Sequence, residues 1–302
     1  MKRILITGLA GTSGSAFYDV LCRERYPEKI RVVVRKTTDV SIFQDTPLDI
    51  ELLTGDVSDT AFLKRALDGC DTVFHIANKR MIQPLADAIV DVESVRDVIM
   101  VSSTIVYSNH YRTPYLGADE AVCVEKFRKR GVKYLFLRPT MIFGLPRDGN
   151  ISRFIRWFLK CPVFPIVGRG SATIQPVSRL DLAEAYWLVL KNFPAVDKTE
   201  YIVSGERPMS LLEMFQILCR LAGRKVWFVN VPFPLAKAGV EAVYLLSGKR
   251  CDYREKLDRL MEDRAYPHDL ISSDLGYAPR PFEERAAPLI EELQGRERGG
   301  CG

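Results

Sequence analysis

Between Ile4 and Gly14 the chain reads ILITGLAGTSG: an apolar, β-branched run, then glycines at Gly8, Gly11 and Gly14, then residues suited to a helix. Glycines at this spacing let a backbone turn sharply and approach another group closely. The helix they open points its first amides at whatever lies in front of it. A pyrophosphate rests well on such an N-terminus, so a dinucleotide site is expected, with Gly8, Gly11, Thr12, Ser13 and Gly14 as its phosphate loop. The spacing is GxxGxxG rather than GxGxxG, and a glycine triplet alone would fit a plain turn. Its place after the first strand, at the head of an alternating series, favours the phosphate loop.

That series runs through the first half of the chain. Strand candidates are Arg3–Thr7, Ile30–Arg35, Ile50–Leu53, Thr72–Ile76, Val98–Ser102 and Tyr134–Leu137. Helical spacing falls between them at Ser13–Arg23, Asp59–Leu67, Pro84–Val92 and Asp119–Arg130. The alternation implies right-handed βαβ units: an α/β protein with a Rossmann-type, doubly wound parallel sheet. After Gly144 the texture changes. Prolines recur, helices are expected near Ile151–Leu159 and Asp181–Lys191, a short strand near Tyr201–Val203, and Ser210-Leu-Leu-Glu213 reads as a capping box. The expected division is a nucleotide-binding domain over residues 1–145 and a smaller, mostly C-terminal α/β substrate lobe over 146–302. Residues of about 172–200 return to the first domain.

Composition narrows the partners. A net charge of +5 over 302 residues is mild, and the one basic run, Lys126–Lys133, reads as a solvated helix face, so no nucleic-acid partner is expected. Seven scattered cysteines form no metal-ligand spacing; no metal is expected, and reduced thiols fit a cytoplasmic protein. No apolar run reaches the roughly 18 residues of a membrane span. The stretch VPFPLAKAGVEAVYLLSG at 231–248 reads as a packed helix of the smaller lobe, or else as an apolar surface for a lipid-linked or sterol-like substrate. Trp157, Trp187 and Trp227 read as core or rim aromatics, and His75 as a hydrogen-bonded packing residue.

The second strand ends in VVVRKTTD. An acidic residue there would bind the ribose hydroxyls of NAD. Arg35 and Lys36 instead offer cations to a 2′-phosphate, so NADP is expected, with NAD as the alternative. Asp56, just after the third strand, can accept from an adenine amino group.

Taken in order, TGLAGTSG, TGDVSD, VFHIA, VSSTIVYS and LRPTMIFG resemble the extended short-chain dehydrogenase/reductase family, in its NAD(P)-dependent epimerase/dehydratase group. The resemblance continues through IQPVSRLDLAEA, YIVSGERPMSLLEM and DLGYAPRPFEE and so covers nearly the whole chain. It implies an adenine-side pair at Asp56 and Val57 and a wall beside the nicotinamide at Ile76, Ala77 and Asn78. Pro139 and Thr140 of LRPTMIFG join the cofactor set, and Ser103 takes the place of the proton-relay hydroxyl. The family's catalytic tyrosine stands in a YxxxK pair, and Tyr115 is the candidate by its distance ahead of LRPT.

Asp119 then holds the lysine position. A carboxylate near a phenol raises its pKa, the reverse of what proton transfer needs. Neither Tyr107 nor Tyr111 has a lysine four residues later, and His110, Arg112 and Lys79 are the substitute cations within reach in sequence. Three functions stay open: an enzyme on a nucleotide-sugar or related carbonyl or alcohol, a nicotinamide-binding protein with little turnover, or an enzyme on a lipid-like substrate. Arg153 and Arg179 are candidates to grip a substrate phosphate. A homodimer, if one forms, would pair through the helices after Pro84 and Tyr115.

Overall fold

The computed structural model describes residues 2–77, 81–110 and 115–299. The strands of its central sheet are β1 (Arg3–Thr7), β2 (Lys29–Val34), β3 (Ile50–Thr54), β4 (Thr72–His75), β5 (Asp97–Val101), β6 (Lys133–Pro139) and β7 (Glu200–Val203). All pairs are parallel, in the order β7-β6-β5-β4-β1-β2-β3. The strand order reverses beside β1, where an open α/β sheet leaves its ligand crevice.

The helices are α1 (Thr12–Arg23), α2 (Thr60–Leu67), α3 (Ile82–Val90), α4 (Tyr115–Arg130), α5 (Ile151–Lys160), α6 (Arg179–Asn192), α7 (Leu211–Leu221), α8 (Phe233–Leu246), α9 (Arg254–Arg259), α10 (Asp269–Leu275) and α11 (Phe282–Gly299). Each face of the sheet has its own apolar core. Ile4, Ile6, Val32, Leu135 and Leu137 pack with α1 and α6, whereas Leu5, Val33, Val73, Tyr134 and Phe136 pack with α2, α3 and α4. Neighbouring residues of one strand thus enter opposite cores, the two-residue period of a pleated strand covered on both sides.

A third cluster lies away from the sheet, built from Ile151, Ile155 and Phe158 of α5, Met214, Phe215 and Leu218 of α7, and Leu289, Ile290 and Leu293 of α11. Arg285 of α11 ties it back to the sheet, 2.6 Å from the buried Asp181 of α6. At α7 the Ser210 hydroxyl accepts from the Glu213 amide at 3.0 Å, as the capping box requires. The Glu213 carboxylate, however, turns to Arg207 at 2.8 Å.

One element departs from its expected packing. The stretch read as a packed helix is α8, and none of its residues is buried. Apolar residues made the helix legible, but helical spacing alone does not say which face water sees. Among the described residues no helix is long and apolar enough to cross a membrane.

Candidate functional site

The turn from β1 into α1 is held by backbone contact. Gly8 has φ of +80°, and a Cβ there would lie 2.6 Å from the Ala77 nitrogen at the end of β4. A Cβ on Gly14 would lie 2.0 Å from the Gly8 carbonyl oxygen, so α1 can approach β1 only as glycine. Gly11 donates its N–H to the Gly8 carbonyl at 2.9 Å and stands at the N-cap of α1. No side chain caps that helix, and its first turn has no acidic residue. Its first amides and the positive end of its dipole are therefore open to an anion. Two groups from α6 close over the turn. The Arg179 guanidinium donates to the Ser15 hydroxyl at 3.2 Å, and the Tyr186 hydroxyl to that of Ser13 at 3.4 Å.

Arg35 and Lys36 directly follow β2 and are both exposed. The Arg35 N–H donates to the Thr38 hydroxyl at 3.1 Å, and no ion pair occupies either cation among the described residues. Asp56, after β3, accepts from the Ser58 N–H at 2.8 Å. That bond, the Ser58 hydroxyl and the nearby Arg35 charge hold its carboxyl below the ordinary range. Val57 packs against the α2–α4 face. Ile76 donates its N–H to the Thr7 carbonyl at 2.9 Å, which sets Ile76 and Ala77 beside the glycine turn. Asn78, Lys79 and Arg112 lie outside the described residues. His75 is fully buried, its ring 2.7 Å from the Thr7 hydroxyl, as its packing role requires.

The hydroxyls after β5 divide. Ser103 caps a short turn over Thr104–Tyr107, its hydroxyl accepting from the Ile105 N–H at 3.3 Å. Ser102 donates to the carboxylate of Glu120 on α4. Pro139 and Thr140 close β6. The Pro139 carbonyl accepts from the Thr104 hydroxyl at 3.3 Å, while the Thr140 hydroxyl donates to the Gln175 carbonyl and its N–H to that of Val203. Tyr115 opens α4, and its side chain lies outside the described residues. Asp119, one turn on, is partly exposed.

A buried charge network sits beside this end of the sheet, and motif spacing did not reveal it. Arg138 follows Phe136 on the α4 face of β6. Its guanidinium lies 2.8 Å from Glu120 and 2.8 Å from Glu200 at the start of β7. Burial works against its charge, and the two carboxylates outweigh that effect and hold its pKa above the ordinary value. Tyr107 covers the guanidinium with its ring at 5.4 Å and donates to Glu200 at 3.0 Å. Burial first, then Glu200, pushes its phenol up to about 12 against the opposing pull of Arg138, so Tyr107 is no base near neutrality. The available signal was Arg138 itself, a charge inside the otherwise apolar run YLFLRP.

Residues from the third cluster's side reach the same place. Glu262 accepts from the Ser108 hydroxyl at 2.6 Å and the Asn109 N–H at 2.8 Å, and the Tyr266 ring lies 5.7 Å from that of Tyr107. The segment after β5 is thus held between the sheet and the C-terminal half of the chain.

Residues 8–152 match the family model described as NAD(P)H-binding. Cinnamoyl-CoA reductase 1 of Arabidopsis thaliana is 24% identical over 275 residues, 77% of each chain. The solved dTDP-glucose 4,6-dehydratase of Bacillus anthracis, in complex with NAD, superposes with a TM-score of 0.71 at 15% identity, over 99% of this chain and 98% of its own. The UDP-glucose 4-epimerase of Thermotoga maritima, with UDP-glucose, gives 0.70 at 18% identity, over 98% and 99%. Residues 8–152 accordingly match an NAD(P)H-binding family model, in a chain that shares the fold of the solved epimerase and dehydratase.

Proposed function

We propose that the protein is an NADP-preferring enzyme of epimerase/dehydratase or reductase type, acting on a carbonyl or alcohol of a nucleotide-sugar or related small molecule. The observation that carries this reading is the β1–α1 turn, whose glycines leave a space that a Cβ would fill and whose helix begins without a side-chain cap. Those residues fit a dinucleotide, with Gly11, Thr12 and Ser13 toward the pyrophosphate and Ile76 and Ala77 beside the nicotinamide. The solved dehydratase carries NAD, whereas Arg35 and Lys36 here favour a 2′-phosphate. Nicotinamide, when bound, supplies hydride exchange. The chain's own part is to orient the substrate oxygen and manage its proton, with Ser103 as relay hydroxyl and Tyr115 as the phenol.

Asp119 gives a second reading its support: a nicotinamide-binding protein with little turnover. Without a lysine at that position, the YxxxK means of lowering the Tyr115 phenol below its ordinary pKa of about 10 is missing. Turnover on keto-sugars, followed by oxidation of NADPH, is therefore expected to be slow and to rise with pH. Asp119→Lys should raise it, within the roughly 10²–10⁴-fold that general acid–base catalysis supplies. Wild-type turnover that is fast at neutral pH and survives Tyr115→Phe would remove Tyr115 from the mechanism. Calorimetric binding of NADPH without oxidation by any keto-sugar would favour the second reading.

A further inference from the structure

A surface helix ordinarily turns its apolar stripe inward, and α8 does the opposite. Its half-covered residues Phe233, Ala236, Val240 and Tyr244 share the inner face. There Arg254 lies 3.9 Å from the Tyr244 ring centre and 3.8 Å from Glu241. The outer face carries Leu235, Ala238, Gly239, Ala242, Leu245 and Leu246, spaced three or four apart and therefore aligned. Leu246 is 88% exposed, Leu235 65% and Leu245 61%. A Cβ built on Gly239 would meet nothing within 4 Å, so the stripe opens onto solvent.

Charge indicates what covers it. Lys249 and Arg250, just past the C-terminal end of the stripe, are exposed and have no ion pair among the described residues. The nearby acids are already engaged: Arg254 takes Glu241 and also Asp252, at 2.7 Å. Two copies joined about a two-fold axis would set the same cations against each other with no acid to answer them. An anionic lipid surface answers both features, accepting the leucines at the acyl boundary and the cations among its phosphates. With 14 residues, α8 is shorter than the roughly 20 that span a bilayer, so it would lie in the plane of the surface.

We propose that α8 docks the protein peripherally on anionic lipid bilayers. The proposal is independent of the reading of the nucleotide site. Co-sedimentation of the full chain with vesicles of phosphatidylcholine and phosphatidylglycerol, against phosphatidylcholine alone, tests it. The protein should pellet with the anionic vesicles only and be released by salt. Leu235→Glu with Leu246→Glu should lower binding at least about tenfold, and so should Lys249→Glu with Arg250→Glu. All four side chains face water, so melting temperature and NADPH affinity should stay at wild-type values. Pelleting without vesicles, equal pelleting with both compositions, or binding indifferent to the leucine pair would overturn the proposal. So would a dimer that Leu246→Glu dissociates, because a second copy would then be what covers the stripe.

Discussion

Arg138 ends a strand of leucine and phenylalanine with a charge, and the fold answers it with two carboxylates of different standing. Glu120 is buried with it, whereas the Glu200 side chain is 47% exposed. Solvent screens the second pair and does little for the first. Glu120→Gln should therefore cost about 3 kcal/mol or more of stability. Glu200→Gln should cost under about 1 kcal/mol. Urea unfolding of the two variants measures the difference, and equal losses would mean that the network is shared evenly. Arg35 poses the contrasting case of an exposed charge with no ion pair among the described residues. Arg35→Ala should weaken NADPH by about tenfold to a hundredfold and leave NADH unchanged, since a charge-assisted bond contributes roughly 1.5–3 kcal/mol. Calorimetry with both nucleotides decides it, and equal losses for both would argue against a 2′-phosphate contact.

The β1–α1 turn allows two glycine roles to be separated. A Cβ on Gly14 would collide with the Gly8 carbonyl at 2.0 Å, whereas one on Gly11 would meet that oxygen at 3.0 Å and no other atom closer than 3.9 Å. Gly14→Val should push α1 away from β1, lowering the melting temperature by several degrees and abolishing binding of both nucleotides. Gly11→Ala should melt near wild type yet bind both nucleotides more weakly, because its side chain enters the space before the helix. Elements of this kind were legible because local chemistry dictates them. The strand β1 has the bounds that its apolar run indicated, and the others shift by no more than two residues. Helix α4 begins at Tyr115, earlier than the expected Asp119, since the stretch ahead of it has no apolar period to mark a start. The Glu120–Arg138 pair was not legible, because residues 18 apart in sequence carry no register until β6 is set against α4. Nor was the outward stripe of α8, whose period is the same whether it faces a core or water.

At the scale of the molecule, the nucleotide turn and the segment after β5 belong to the sheet, while the third cluster approaches that segment through few contacts. Glu262 makes two of them, to Ser108 and Asn109, at the place where Ser103 and Tyr107 stand. In the strand order this segment is separated by β4 from the strand that leads to Gly11, and by β4 and β1 from the strand that leads to Arg35, so its bonds to Glu262 are expected to bear on a substrate more than on the adenine end of a nucleotide. Glu262→Ala removes an acceptor from the Ser108 hydroxyl and the Asn109 N–H, an effect of about 1–3 kcal/mol on the placement of this segment. If the segment must be held there for a substrate to be gripped from both sides, KM for an accepted keto-sugar should rise about tenfold, with the calorimetric NADPH affinity unchanged. A matching fall in NADPH affinity would mean that the two halves of the cleft are coupled through the segment after β5. An unchanged KM would mean that the substrate is held without it.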